Sequence, residues 1–556
     1  MEENISEPLV AVPTNFDING FIEKHSTEGI GNFNKDILLY YIGLITSVPS
    51  RDFDLITESG YVPLSSKLLQ GIAHNYLQYI KYLEKYRVIE RLEQYQKAGM
   101  MTMREGKLVA LPGKCMGYRF RPKYQTEVRY VPLTDTRFIK RLSKMANVKT
   151  DAKDVYPFLH RWFRDKRLNI DIKGAENFFR KYLGIEGNAY PEPSARLKFN
   201  AYMHPLRMLK EGNGNFTFTI DGTGRRLHNP FTYMKREAKQ FITWGKDNKK
   251  LVSIDIKNSQ PYLLLGLLSG ELYGLDEEFV GALNNLRANG TGNLTITERK
   301  LNLKSFNASV VGLLDRLSIL DNTSSPKRPS TKAVSMSFNT PYSLKCLYNE
   351  HLCIIEHIFL RSSSSMSSRI SSSIMLVDIF NRNIKNNDYS LPEDTLRYRQ
   401  GVIDSTFYPF MKDRFEEELG VRYIDMKALK KDVLAVFYSK VNGGPYLNAR
   451  KKVFAKYFPT VVAFLDLLKG KNFLGDKSYT LPVTLLQRLE SHLMLDRIAK
   501  RIASRNPNLP LFTIHDNLVT LEGYEDFVEG IIKEEMEKCI GVAPMVAVEP
   551  WVEKTA

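Results

Sequence analysis

Cysteine is scarce in this 556-residue chain. The four present (Cys115, Cys346, Cys353 and Cys539) form no CxxC pair, which excludes a zinc knuckle or a disulfide framework and points to a reduced, cytoplasmic setting. No apolar run approaches the about 18 residues needed to span a bilayer, so no membrane partner is expected. The first residues, MEENISEPLV, lack the charged-then-apolar order of a signal peptide. No internal repeat is evident. Negative charge is in deficit: 62 Asp and Glu face 79 Lys and Arg, a net charge of +17. Such an excess suits a polyanionic partner, because releasing counterions from phosphates drives much of nucleic-acid affinity. A generally basic or solubilising surface is the plainer reading. What is present in ordinary measure is core material, 43% hydrophobic residues, in a length that implies more than one domain.

The pattern changes along the chain. From Asp36 to about Ile89 apolar residues recur at helical spacing, followed by strand alternation around KLVALPG and MGYRFRPKY. Helices then a β-ribbon, over residues 1–130, admit either a winged-helix nucleic-acid binder or a helical support domain. Residues 131–214 read mainly as helix, with aromatic and basic side chains interleaved in PFLHRWFRDKR. NFTFTID, the turn DGTG and RRLHNPFT read as a β-hairpin. Residues 271–395 carry a serine tract, nine of the twelve residues 362–373, and read as a partly flexible insertion. Strong helical patterns return at 405–419, 425–440, 447–469 and 483–504. A hairpin around His-Asp-Asn follows, then a helix at 525–539 and a strand around MVAVEPWV.

Two segments place an aspartate where a strand meets a polar turn: LVSIDIKNSQPYLL with Asp255, and LPLFTIHDNLVTLE with Asp516. Strand alternation points Asp255 away from its apolar neighbours Ile254 and Ile256. Either aspartate alone suits an ordinary turn. Phosphoryl transfer to a sugar hydroxyl uses two divalent ions about 4 Å apart, and magnesium accepts a few carboxylates plus water and substrate phosphates. Between the two segments, DMKALKKDVLAVFYSK puts Lys430, Leu434 and Tyr438 on one helix face at i, i+4 and i+8. A lysine and a tyrosine so placed can hold a triphosphate and stack on a base or sugar; a solvated lysine on an amphipathic helix is the alternative.

The order of these segments resembles the family A DNA polymerases and the related phage-type single-subunit RNA polymerases. DIKNSQPY is similar to the family's DYSQIELR, Lys430–Leu434–Tyr438 to its fingers helix, and His515–Asp516–Asn517 to its HDE or HDS. TGRRLHNPF with Arg236, KVFAKYFPTVVAFL and LPVTLLQRLESHLMLDRIAKRI resemble three further segments in the same order. The resemblance covers about 215–270 and 395–550. It implies an α+β, right-hand architecture: an antiparallel palm sheet from 215–270 and 481–556, fingers at 396–480, and a thumb-like or template-binding region at 131–214. It also implies that Asp255, Asp516 and the Ile256 carbonyl hold two Mg²⁺ ions, with Mn²⁺ able to substitute. His515 would sit near the primer terminus, Lys430 on the triphosphate and Tyr438 at the insertion site. Gln487 and Arg225 would follow the duplex minor groove, and Arg236 would be a further substrate-binding residue. Three positions depart from the family. Met426 falls where it has an arginine, leaving Lys427 or Arg422 to substitute, Leu434 replaces Phe or Met, and Ser439 replaces Gly.

The expected activity is template-dependent DNA synthesis from dNTPs on primer-template DNA, with replication accessory proteins as further partners. Gln260, five residues after Asp255, matches in size the family's Glu that crowds a ribose 2′-hydroxyl. Ser259 fits the RNA enzymes, so a single-subunit RNA polymerase is the alternative, and a non-catalytic DNA-binding protein of the same fold a second. No Asp-x-Glu strand opens the first 200 residues, so no proofreading is expected. Compact size and the unusual N-terminal region suggest a phage or mobile-element origin.

Overall fold

The computed structural model describes residues 8–92, 101–104, 107–110, 115–146, 150–188, 192, 194–211, 216–268, 393–469 and 479–552. Nearly all of the serine-rich insertion reading, 271–395, lies outside these residues. Two hydrophobic cores divide them.

The first core organises residues 8–146. In chain order its elements are β1 (Leu9–Pro13), α1 (Ile18–Lys24), α2 (Lys35–Ser47), β2 (Val62–Leu64), α3 (Ser66–Ile72), α4 (Tyr76–Lys85), β3 (Ile89–Leu92), β4 (Met101–Arg104), β5 (Lys107–Ala110), β6 (Met116–Phe120), β7 (Val128–Pro132) and α5 (Thr136–Ala146). The buried helix is α2, whose apolar residues cover most of its surface. Asn34 starts it, its side chain accepting from the Asp36 and Ile37 N–H groups at 2.8 and 3.2 Å, as N-caps do. The helical reading of Asp36–Ile89 missed β2, a three-residue strand too short to leave a period. Strands β2, β6 and β3 form an antiparallel sheet in that order, β4 and β5 form a hairpin between β3 and β6, and β1 pairs with β7.

The second core holds β8 (Thr150–Asp151), α6 (Pro157–Phe163), β9 (Leu168–Ile170), α7 (Ile172–Tyr182), α8 (Ala195–Glu211), β10 (Thr219–Ile220), β11 (Leu227–His228), β12 (Ile242–Trp244), β13 (Lys249–Ile256) and α9 (Ser259–Leu268). After residue 392 come α10 (Glu393–Ile403), α11 (Phe407–Leu419), α12 (Met426–Tyr438), α13 (Pro445–Tyr457), α14 (Pro459–Leu468), α15 (Leu481–Ser491), α16 (Lys500–Arg505), β14 (Phe512–Ile514), β15 (Asn517–Leu521), α17 (Glu525–Ile540) and β16 (Val546–Pro550). The fold class is mixed helix and antiparallel sheet.

Three expectations need correction. Residues 131–214 are not all helix: β9 joins the main sheet beside β12, and β8 pairs with β10. The helix expected over 447–469 is two, because Pro459 cannot continue the hydrogen-bond ladder of α13. The segment 483–504 contains a π-helical stretch, His492–Ala499, between α15 and α16.

Strand β13 is the spine of the site. Along Leu251–Asp255 it pairs with β15 on one side, and along Val252–Ile256 with β16 on the other, both antiparallel. Its Leu251, Val252 and Ile254 are buried, so its register is fixed by apolar packing on both faces. No helix among the described residues is long and apolar enough to cross a membrane.

Candidate active site at the end of strand β13

Asp255 lies one residue from the end of β13, opposite Asn517 of β15. Asp516 occupies the two-residue loop between β14 and β15, where Ile514 pairs with Asn517. The loop needs a left-handed residue at its first position, as tight hairpins do. His515 supplies it with φ +56°, an uncommon conformation for a residue with a Cβ. The Asp516 carbonyl accepts from the Ile256 N–H at 3.4 Å, tying the loop to the end of β13. Asn258, also left-handed at φ +55°, then turns the chain from β13 into α9.

Neither carboxylate has a hydrogen bond or ion pair with another side chain among the described residues. Burial pushes the Asp255 carboxyl up to about 7, and the negative charge of Asp516 adds to the shift. Lys430 and Lys239 oppose it, which places both ammonium groups within electrostatic reach. A divalent cation relieves this kind of strain, and carboxylate oxygens are the donors a hard cation takes. The residues therefore fit such an ion. No group of three or more His, Cys, Asp or Glu placed to hold a metal ion is found among the described residues, so an ion at the two aspartates would take its other donors from backbone, water and substrate.

Helix α12 brings Lys430 and Tyr438 to the same place. Asp425 caps its N-terminus through the Lys427 and Ala428 N–H groups. Lys430 is exposed and lies 5.4 Å above the Tyr408 ring. Tyr438 is half-buried and donates its hydroxyl to Gln260 Oε1 at 2.7 Å. Gln260 in turn donates Nε2 to Glu490 Oε2 at 2.6 Å. Glu490, on α15 and 1% exposed, forms a two-pronged pair with Arg226 at 2.8 Å on both arms. Burial pushes the Glu490 carboxyl up to about 7, with Arg226 opposing and Asp516 adding. The chain Tyr438–Gln260–Glu490–Arg226 thus joins α12, the start of α9, α15 and the β10–β11 turn around the two aspartates.

His515 faces the His228 ring edge-on at 5.5 Å. Burial, together with the charges of Arg226 and His228, pulls its imidazole down to about 4, so it is neutral at physiological pH. Burial works against ionising Asp221, but hydrogen bonds from His228 and from the Gly224 and Thr223 N–H groups hold it at about 2. Those bonds fix the 222–225 turn. A Cβ at Gly224 would meet Gln487 Cβ at 2.9 Å, so the absence of a side chain lets α15 approach this closely. Arg488 donates to the Thr223 carbonyl at 2.7 Å and Ser491 to the Gly224 carbonyl at 3.0 Å.

The expected site residues therefore divide. Asp255, Ile256, Asp516, His515, Lys430, Tyr438 and Gln260 converge. Arg225 and Gln487 adjoin across the turn, with Arg225 exposed and left-handed at φ +57°. Arg236 is committed to Glu549 on β16, Nε to Oε1 3.0 Å. Lys427 is exposed at the far end of α12, with no partner for its ammonium among the described residues. Sequence reasoning missed Arg226, Glu490 and Lys239. Lys239 is stacked 5.3 Å from the Trp551 ring, and burial lowers its ammonium. An arginine beside the expected Arg225 and a glutamate inside an apolar helix were the available signals.

No family model matches the sequence, and no curated protein does. Among solved structures, the chain is similar to the polymerase domain of Pol1 from M. smegmatis, determined in complex with DNA primer-template and dNTP. Identity is 12% and the TM-score 0.25, over 68% of this chain and 56% of that one. The chain thus spans little more than half of that neighbour, and a likeness of this size leaves function to be argued from the site itself.

Proposed function

We propose that this protein is a template-dependent nucleotidyltransferase that extends a primer 3′-hydroxyl on DNA from dNTPs, without a proofreading exonuclease. The observation that carries this reading is the pair of uncommitted carboxylates, Asp255 near the end of β13 and Asp516 in the hairpin loop before β15, with Lys430 in electrostatic reach of Asp255. Such a pair has no packing role, since half-buried charges without partners cost stability. Asp255 and Asp516, with the Ile256 carbonyl, would hold divalent magnesium. When bound, the metal supplies Lewis-acid stabilisation of the attacking and leaving oxygens. Lys430 would neutralise phosphate charge at the mouth of the site. Tyr438, oriented by Gln260, would form the wall against which the incoming nucleotide stacks. Neutral His515 would offer a ring nitrogen near the primer terminus without adding charge beside the aspartates.

Primer extension on a primed DNA template tests the reading, with dNTPs and rNTPs supplied separately. Wild-type protein should incorporate dNTPs with Mg²⁺ or Mn²⁺ and stop with EDTA. Asp255→Ala and Asp516→Ala should each lose about 10²–10³-fold or more in rate, a loss typical of removing charge-stabilising groups, while retaining DNA affinity. Exclusive rNTP use would replace the reading with RNA synthesis. Normal extension by both variants would remove it altogether.

A further inference from the structure

We propose that residues 8–146 form a winged-helix module that seats α4 in the major groove of duplex DNA, with the β4–β5 hairpin as its wing. The chain runs helix α2, strand β2, helix α3, helix α4, strand β3, hairpin β4–β5, strand β6. Its sheet has the order β2-β6-β3, all antiparallel. Helices α3 and α4 are separated only by Ala73, His74 and Asn75, the short link of a helix-turn-helix. The hairpin interrupts the β3–β6 connection, where a wing leaves such a sheet.

Fold order alone does not establish binding; charge supplies the second observation. Between Ser66 and Arg121 the sequence holds eleven Lys and Arg against four Glu. Residues 8–65 of the same unit hold seven Asp and Glu against three Lys and Arg. The basic charge therefore accumulates on the helix-turn-helix and wing. Two of the four glutamates are already paired: Glu84 with Arg91 at 3.2 Å, and Glu90 with Arg119 and with Arg121 at 2.8 Å. Of the remaining basic residues whose side chains are described, Lys67, Lys81, Lys85 and Arg87 are all exposed, with no carboxylate in ion-pair reach among the described residues.

The faces of α4 are separated cleanly. Tyr79, Ile80, Tyr82 and Leu83 are buried in the first core. Leu77, Lys81 and Lys85 recur every fourth residue on the exposed side, a stripe along one helix face. A ten-residue helix is about 15 Å long, which suits the major groove, about 12 Å wide. Phosphates flanking the groove would meet Lys81, Lys85 and Arg87. This surface is separate from the Asp255–Asp516 site and does not depend on the polymerase reading.

The test uses the full-length protein and a dumbbell duplex closed by a hairpin loop at each end, which offers no primer terminus. Wild-type protein should bind it with an affinity that falls steeply with salt. Lys81→Glu/Lys85→Glu should weaken binding by about tenfold or more and flatten the log–log salt slope by about 2, roughly 0.9 for each phosphate no longer neutralised. The unfolding midpoint should stay unchanged, since both lysines are exposed, and so should the extension rate on saturating primed template. Asp255→Ala should bind the dumbbell like wild type. A control pair in the second unit, Lys246→Glu/Lys249→Glu, should leave binding intact. Unchanged dumbbell affinity in the α4 variant would overturn the proposal. So would equal weakening by the control pair, or binding of an RNA hairpin in place of the DNA dumbbell.

Discussion

At the scale of single residues, Gln260 has the widest reach. Its amide accepts from Tyr438 and donates to Glu490, a pairing only an amide satisfies at both ends. Gln260→Leu keeps the volume but strands a buried phenol hydroxyl and leaves a carboxylate held by Arg226 alone. Each unsatisfied group costs about 1–3 kcal/mol, so the urea midpoint should fall and the KM for nucleotide should rise as Tyr438 loses its orientation. A double-mutant cycle with Tyr438→Phe should return a coupling of about 0.5–3 kcal/mol, as for residues in direct contact. His204 sits apart from the site, its Nδ1 2.8 Å from the Tyr130 hydroxyl. Burial, with Arg51 and Arg207 nearby, lowers its imidazole from 6.5 to about 4. The unfolded chain therefore takes up a proton below pH 6.5 that the folded one refuses until about 4. His204 favours the fold above pH 6.5 and loses that contribution as pH falls toward 4, by up to about 3 kcal/mol. The drop in urea midpoint between pH 7 and pH 5 should be smaller in His204→Gln than in wild type.

Two ranges of signal explain what could be read in advance. Asp255, Asp516, Lys430 and Tyr438 were legible because each sits in a local pattern of alternation or helical spacing. The Gln260–Glu490 hydrogen bond spans 230 residues and the Tyr438–Gln260 bond 178, and nothing local encodes either.

At the scale of elements, α12 is held at its middle and at its C-terminal end. Asp432 on its inner face accepts from the Tyr423 hydroxyl at 2.5 Å, the Tyr446 hydroxyl at 2.9 Å and Arg450 Nε at 2.5 Å. Arg450 also stacks 3.4 Å over the Tyr446 ring. Two lysines secure the C-terminal end. Lys469 donates to the Val436 carbonyl of the last turn at 2.8 Å, where a cation favours the helix dipole, and Lys451 donates to the Val441 carbonyl just beyond the helix at 2.9 Å. Asp432→Asn would leave the buried Arg450 without its counter-charge, a loss of about 3–5 kcal/mol for a broken buried pair. The expected outcome is a lower thermal midpoint, with nucleotide KM raised more than template affinity is weakened, because Lys430 and Tyr438 ride on the same helix. Helix α12 was legible from its apolar spacing. The strand β9 was not: three residues give no period, and its place beside β12 is decided by tertiary pairing.

At the scale of the whole molecule, the two cores meet through charge as well as packing. Glu127, just before β7, pairs with Arg180 of α7 at 2.5 Å and with Arg207 of α8 at 3.5 Å. Arg207 is buried and also holds Glu176 at 2.6 Å. Glu127→Ala removes a shared anion from two arginines and should loosen the junction without touching either core. Calorimetry should then resolve two transitions, with the earlier one shifted down by several degrees, as expected for about 1–2 kcal/mol.

Strand β13 also imposes an order in time. It pairs with β12, just before it in sequence, only at Lys249 and Lys250; its other two neighbours, β15 and β16, are encoded more than 260 residues downstream. Pairings so distant in sequence form slowly, because the chain must close a large loop before any contact rewards it. During translation Asp255 leaves the ribosome long before Asp516 is made. The proposed chemistry therefore stays silent until synthesis has passed β15, and the nascent chain exposes the Leu251–Ile256 stretch of the strand without its β15 and β16 partners for that whole interval.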